Sequence, residues 1–120
     1  MCCMKKVILD TDFFLQSIRW NIHLHEEFQR ILDTSFTLCI LDKTLDELRG
    51  KKDGDFARVF AQQFQIIPTA RNMSVDALIL DFGEKNNVLV ATQDKALKEK
   101  LKKRKIPVVT IRDKSHLELV

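Results

Sequence analysis

Cysteine is scarce in this chain of 120 residues: there are three, Cys2, Cys3 and Cys39. Their number is odd, two are adjacent, and neither a Cys-x-x-Cys pair nor a Cys/His zinc spacing occurs. A disulfide framework and a zinc module are therefore not expected, and a reducing, cytoplasmic setting is. Long apolar runs are also missing. Val7-Ile8-Leu9 is too short for a signal-peptide core, and nothing approaches the length of a membrane span, so no membrane partner is expected. With three glycines and two prolines the chain shows no repeat or low-complexity tract. Tyrosine is absent.

What is present describes one compact domain over residues 1–120. Hydrophobic residues make up 45% of the chain, enough for one core. Charged residues make up 31% with the signs interspersed, which argues against disorder. The net charge of +3 is compatible with a nucleic-acid partner without demonstrating one.

Lys6 to Leu9 is a short apolar run ending abruptly at Asp10, the pattern of a buried strand. Phe13, Phe14, Ile18 and Trp20 mark a first helix, and Leu24, Phe28, Ile31 and Leu32 a second. Phe36 to Leu41 reads as the next strand. Thr44, Leu45 and Leu48 mark a short helix that ends at Arg49-Gly50-Lys51-Lys52. Phe56, Val59, Phe60 and Phe64 form another helical stripe, and Ile66-Ile67-Pro68 a very short strand. Ser74 suits the N-cap of a helix carrying Val75, Leu78, Ile79 and Phe82. Asn86-Asn87 turns the chain into the strand Val88 to Ala91, Asp94 to Arg104 is a basic helix, and Pro107 to Ile111 is the last strand. Short, evenly apolar strands separated by helices predict a three-layer α/β/α sandwich around a mainly parallel sheet, with right-handed crossovers. In such sheets ligands bind outside the carboxyl ends of the strands.

Four acids fall where that edge is expected. Asp10 follows the first strand, Asp94 follows Val88 to Ala91, Asp76 lies in the first turn of its helix, and Glu47 lies in the helix after the second strand. Each also has a plain structural reading. Asp10 and Asp94 suit helix caps, Asp76 suits a helix N-terminus, and Glu47 is one of several acids with Asp42 and Asp46. Together they are harder to explain that way. Two like charges 4 Å apart repel by about 4 kcal/mol at an effective dielectric near 20, so a cluster needs protons or a bound cation. Oxygen-only donors favour Mg²⁺ or Mn²⁺ over zinc.

The stretch Val7-Ile8-Leu9-Asp10-Thr11-Asp12-Phe13-Phe14-Leu15 resembles the first motif of PIN-domain nucleases, an apolar strand ending in Asp-Thr-Asn. Leu45-Asp46-Glu47-Leu48 resembles the family's second acidic helix, Ser74 to Ile79 its third motif, and Ala91-Thr92-Gln93-Asp94-Lys95-Ala96-Leu97 its fourth. Ile106-Pro107-Val108-Val109 resembles its final strand. The resemblance covers nearly the whole chain, in order. It implies that Asp10, Glu47, Asp76 and Asp94 are catalytic, metal-binding acids. Asp12 departs from the usual Asn and adds a carboxylate that would ligate or orient, while Thr11 and Thr92 would hydrogen-bond neighbouring ligands. The implied reaction is metal-assisted hydrolysis of RNA. One ion would activate water and a second would stabilise the leaving 3′ oxygen, giving 5′-phosphate ends. No nucleophilic serine or cysteine is required, and His23, His25 and His116 have no ligand spacing.

Basic residues flank the acids in sequence. Lys95, Lys98, Lys102 and Lys105 lie along one helical stripe, enlarged by Lys100, Lys103 and Arg104, and Arg49, Lys51 and Lys52 form a second group. Most would be solvated whatever the function, but both groups are well placed to hold phosphates. Most Phe residues fit core stripes, so backbone and shape recognition are expected more than base stacking. The resemblance leaves two roles open, ribosomal-RNA processing and the toxin of a toxin–antitoxin pair. It correspondingly admits an antitoxin, a ribosome-assembly factor or a second copy of the chain as partner. A catalytically silent binding module is the third reading, opposed by retention of all four acids. A receiver-like signalling domain is the weakest, because Lys105 precedes a strand and Asp94 has no role there.

Overall fold

The structure is a computed structural model that describes residues 5–69 and 72–120; Cys2 and Cys3 lie outside the described residues. The strands are β1 (Lys5–Leu9), β2 (Phe36–Leu41), β3 (Gln65–Ile67), β4 (Val88–Ala91), β5 (Val108–Arg112) and β6 (His116–Leu119). The helices are α1 (Thr11–Arg19), α2 (Leu24–Ile31), α3 (Asp42–Leu48), α4 (Gly54–Phe60), α5 (Val75–Lys85) and α6 (Lys95–Lys103). One sheet runs in the order β3-β2-β1-β4-β5-β6. Its first five strands are parallel and β6 is antiparallel to β5. The expected mainly parallel sheet is present.

Alternation along each strand separates two cores. Val7 and Leu9 of β1, with Leu38, Ile40, Leu89, Ala91, Val109 and Ile111, pack with Phe13, Phe14, Phe28, Leu48 and Ala57 of α1–α4. Ile8, Cys39, Leu41, Val88, Val90 and Val108 point the other way, against Val75, Leu78, Ile79, Leu97 and Leu101 of α5 and α6. Each large apolar side chain removed from water contributes roughly 1.5–3 kcal/mol. Both faces of the sheet are thus fully used, as the continuous apolar runs require. Cys39 is a free thiol buried within the second core. Among the described residues no helix is long and apolar enough to cross a membrane.

Three expectations need correction. The strand after Pro107 is not the last, because the chain turns at Asp113 and Lys114, both at positive φ, into β6. In β6 only Leu117 is buried, so the apolar signal is thin. Its outer edge is held by α2: Glu27 Oε1 accepts from Leu117 N at 2.9 Å, and Arg30 donates to Leu117 O at 2.7 Å. The stripe Phe56-Val59-Phe60 is not core. Phe56 is 60% and Val59 66% exposed, while Ala57 and Ala61 face inward. Lys105 leaves the α6 stripe, because its φ of 60° lies beyond the helix end.

The α3–α4 corner carries Arg49, Lys51 and Lys52 and turns on two glycines, Gly50 at a φ of 76° and Gly54. A Cβ on Gly54 would stand 1.8 Å from the Leu48 carbonyl oxygen, a backbone atom that cannot move aside. Gly54→Ala is therefore expected to destabilise the fold by about 3 kcal/mol or more, measured by urea unfolding. A loss under about 0.5 kcal/mol would contradict this close approach.

Candidate active site at the strand switch point

The chain leaves β1 toward one face of the sheet, through α1, and leaves β4 toward the other, through α6. Because β1 and β4 are neighbours, their carboxyl ends diverge and open a crevice, the usual ligand position in an open α/β sheet. Asp10 is the first residue past β1. Its N–H donates to the Ala91 carbonyl of β4 at 2.9 Å, which extends the pairing by one residue and fixes the backbone there. Its side chain caps α1 and is only 6% exposed.

Two threonines connect Asp10 to Glu47 and to the backbone of Asp94. Thr11 N donates to Asp10 Oδ1 at 2.9 Å while Thr11 Oγ1 donates to Glu47 Oε1 at 2.7 Å. Thr92 Oγ1 donates to Asp10 Oδ2 at 2.8 Å and accepts from Asp94 N at 3.1 Å. Asp94 Oδ1 in turn caps α6, accepting from Leu97 N at 3.0 Å. Glu47 therefore reaches the crevice from α3 on one face and Asp94 from α6 on the other. Asp76 comes from the first turn of α5, positioned by the Ser74 N-cap, whose Oγ accepts from Ala77 N at 3.2 Å.

The charges feel one another. Burial, opposed by the Thr92 and Thr11 hydrogen bonds and reinforced by Asp76 and Asp12, pushes the Asp10 carboxyl up to about 6. Asp76 is also raised, first by burial, then by the negative charges of Asp94 and Glu47, with Lys100 and Asp12 also acting on it. Five carboxylates thus share one electrostatic site. Among the described residues, no three stand close enough together to hold an ion as they lie. The donor set still fits a hard divalent cation: oxygen ligands only, net negative, two of them protonated more readily than usual. Asp10, Glu47, Asp76 and Asp94 are the residues that would hold such an ion.

The basic residues divide into two flanks. Arg49, Lys51 and Lys52 are exposed beside α3, and Lys51 Nζ lies 3.7 Å from Asp12 Oδ1. Lys95 and Lys102 are exposed on α6, whereas Lys98 is partly covered. His23 and His25 are exposed and join none of the acids; His116 meets Ser115 at 3.1 Å.

Sequence reasoning missed Gln93 and Thr110. Gln93 Oε1 accepts from Ile111 N at 2.6 Å and from Thr110 Oγ1 at 2.5 Å, tying the β4–α6 turn to β5. A threonine within the apolar run Val108 to Ile111 was the available signal, since a buried hydroxyl needs a partner.

The folded state holds a proton on Asp10 more tightly than the ordinary value of 3.8 allows. The associated stability is complete below that value and lost as pH rises through about 6, an effect on the order of 3 kcal/mol. Asp10→Asn should therefore raise the melting temperature in EDTA above about pH 7, and the gain should vanish near pH 4. A gain independent of pH would contradict the burial of this charge.

The chain is similar to known proteins over nearly its whole length. Residues 7–114 match a family model described as a PIN like domain. Ribonuclease VapC4 of Methanocaldococcus jannaschii is 31% identical over 127 aligned residues, covering 97% of this chain and 97% of that protein. The solved structure of the PIN domain endonuclease Utp24 superposes with a TM-score of 0.83 at 27% identity, covering 95% of this chain and 90% of that one. The family match spans β1 through the β5–β6 turn and includes all four acids, so the chain belongs to the PIN-like domain family.

Proposed function

We propose that this chain, as one domain over residues 1–120, is an endoribonuclease dependent on Mg²⁺ or Mn²⁺ that hydrolyses RNA phosphodiester bonds in RNA processing in the cytoplasm. The observation that carries the reading is the buried Asp10 carboxylate, joined through Thr11 to Glu47 and through Thr92 to the Asp94 backbone. The relation to a protein named ribonuclease and to one named endonuclease supports it.

Asp10, Glu47, Asp76 and Asp94 would hold the divalent ions, with Asp12 at the rim. When bound, such ions supply Lewis-acid activation of water and stabilisation of charge on the phosphate. The chain's own work is orientation. Thr11 and Thr92 each occupy one oxygen of Asp10, so the remaining lone pairs have a fixed direction. Thr11 also fixes Glu47, and the α6 cap fixes Asp94. Arg49, Lys51 and Lys52 on one flank and Lys95, Lys98 and Lys102 on the other would bind backbone phosphates and draw the strand across the crevice. None of these steps uses a nucleophilic side chain.

A second reading keeps this chemistry and makes the chain the ribonuclease of a toxin–antitoxin pair. The observation that favours it is the α4 face, where Phe56, Val59 and Phe60 are exposed. A protein partner would cover a patch of this kind. Growth arrest on induction of the wild type but not of Asp10→Asn would favour this role.

The test of the chemistry is cleavage of labelled structured and single-stranded RNAs with Mn²⁺, Mg²⁺ or EDTA. Wild type should cut only with metal, and Asp10→Asn and Asp94→Asn should fall to background. Thr92→Val, which leaves every charge in place, should retain cutting reduced by about 10- to 100-fold. Equal cutting by wild type and both acid variants would overturn the reading.

A further inference from the structure

Lys98 differs from every other lysine on α6. It lies one helical turn past Asp94, about 6 Å along the axis. Its ammonium donates to Thr110 Oγ1 at 3.0 Å. Thr110 is buried, and its hydroxyl proton is committed to Gln93 Oε1, which is fastened to the Ile111 N–H. The lysine head is therefore held by a relay that ends on the backbone of β5. Lys100, Lys102 and Lys103 are exposed and have no such anchor.

The surroundings of Lys98 oppose a positive charge. Burial lowers its pKa, followed by the charges of Arg112 and Lys102, with Asp94 opposing and Lys95 adding to the repulsion. Among the described residues no carboxylate lies within ion-pair distance of Lys98. Arg112 shares its guanidinium with Glu118 at 3.2 Å. Thr110 is already satisfied by Gln93 and does not need the lysine. An ammonium held in place by a neutral hydroxyl, with no carboxylate bonded to it, has donors left to complete on an anion.

We propose that Lys98, held by Thr110 and Gln93 and flanked by Arg112, seats one backbone phosphate of the RNA strand beside the acid crevice. Lys95 and Lys102, exposed and without such an anchor, would meet the RNA backbone less specifically. This rests on the nuclease reading for the identity of the polyanion, but its test needs no catalysis. Arg112 enters as a residue that sequence spacing did not single out, brought to α6 by the position of β5.

Binding of a fluorescent single-stranded RNA by the full chain carrying Asp10→Asn, where no cutting interferes, tests this. In that background Lys98→Ala should weaken binding about tenfold and lower the slope of log Kd against log salt by about one. Lys103→Ala should change Kd by no more than about twofold, as expected for a solvated charge. Thr110→Val keeps every charge and should weaken binding about threefold with an unchanged salt slope, because only the lysine's position is lost. A purely structural role for Thr110 would lower the melting temperature and leave Kd well below it unmoved. Equal losses for Lys98→Ala and Lys103→Ala, or an unchanged Kd for Thr110→Val, would overturn the proposal. Those results would leave the nuclease reading standing if the wild type still cuts. A chain that binds RNA with the expected Lys98 pattern yet never cuts would uphold this site and remove the nuclease reading.

Discussion

A carboxylate cannot be taken out of water without compensation, and Asp10 has been taken almost entirely out of it. Its place at the carboxyl end of the central strand is fixed by pairing on both sides, to β2 and to β4. Two hydrogen bonds compensate in part, and they are not enough to restore the ordinary pKa. The remaining deficit is electrostatic, and its natural complement is a cation. Much of the local architecture serves this arrangement. Thr11 and Thr92 are buried, each uses its hydroxyl on an acid, and each stands where a chain segment leaves the sheet for a different layer.

That constraint also explains how charge is distributed around the crevice. Acids come from the end of β1, from α1, α3 and α5, and from the N-cap of α6, so no single element carries them and no local change can relax their repulsion. Bases stand outside this ring on two flanks. The small net charge of the chain conceals the separation. A polyanion approaching such a surface meets attraction at the rim and repulsion at the centre, until cations occupy the centre.

Much of this was legible in the sequence, for identifiable physical reasons. Val7-Ile8-Leu9 and Val88 to Ala91 read as buried strands because parallel sheets are covered on both faces. The acids next to their ends then had to lie on one edge. The Ser74 cap and the Asp94 cap follow from local hydrogen-bonding rules and sit as those rules require. What stayed hidden depended on distant contacts. The β6 strand has one buried side chain and is held at its outer edge by Glu27 and Arg30, some ninety residues away along the chain. The α4 stripe followed helical spacing, but Gly54 and Ala57 form its buried side, so periodicity alone chose the wrong face. Gln93 was hidden for a similar reason: its partners lie on β5.

Calorimetric titration with Mn²⁺ asks whether the Asp10 cluster is a divalent-cation site. Wild type should bind, and near pH 6, where Asp10 is partly protonated, binding should release a fraction of a proton to the buffer that disappears at higher pH. Asp10→Asn should abolish both the heat and the proton release. Mn²⁺ binding that is unchanged in Asp10→Asn, or no binding by wild type, would mean that these acids do not form a divalent-cation site.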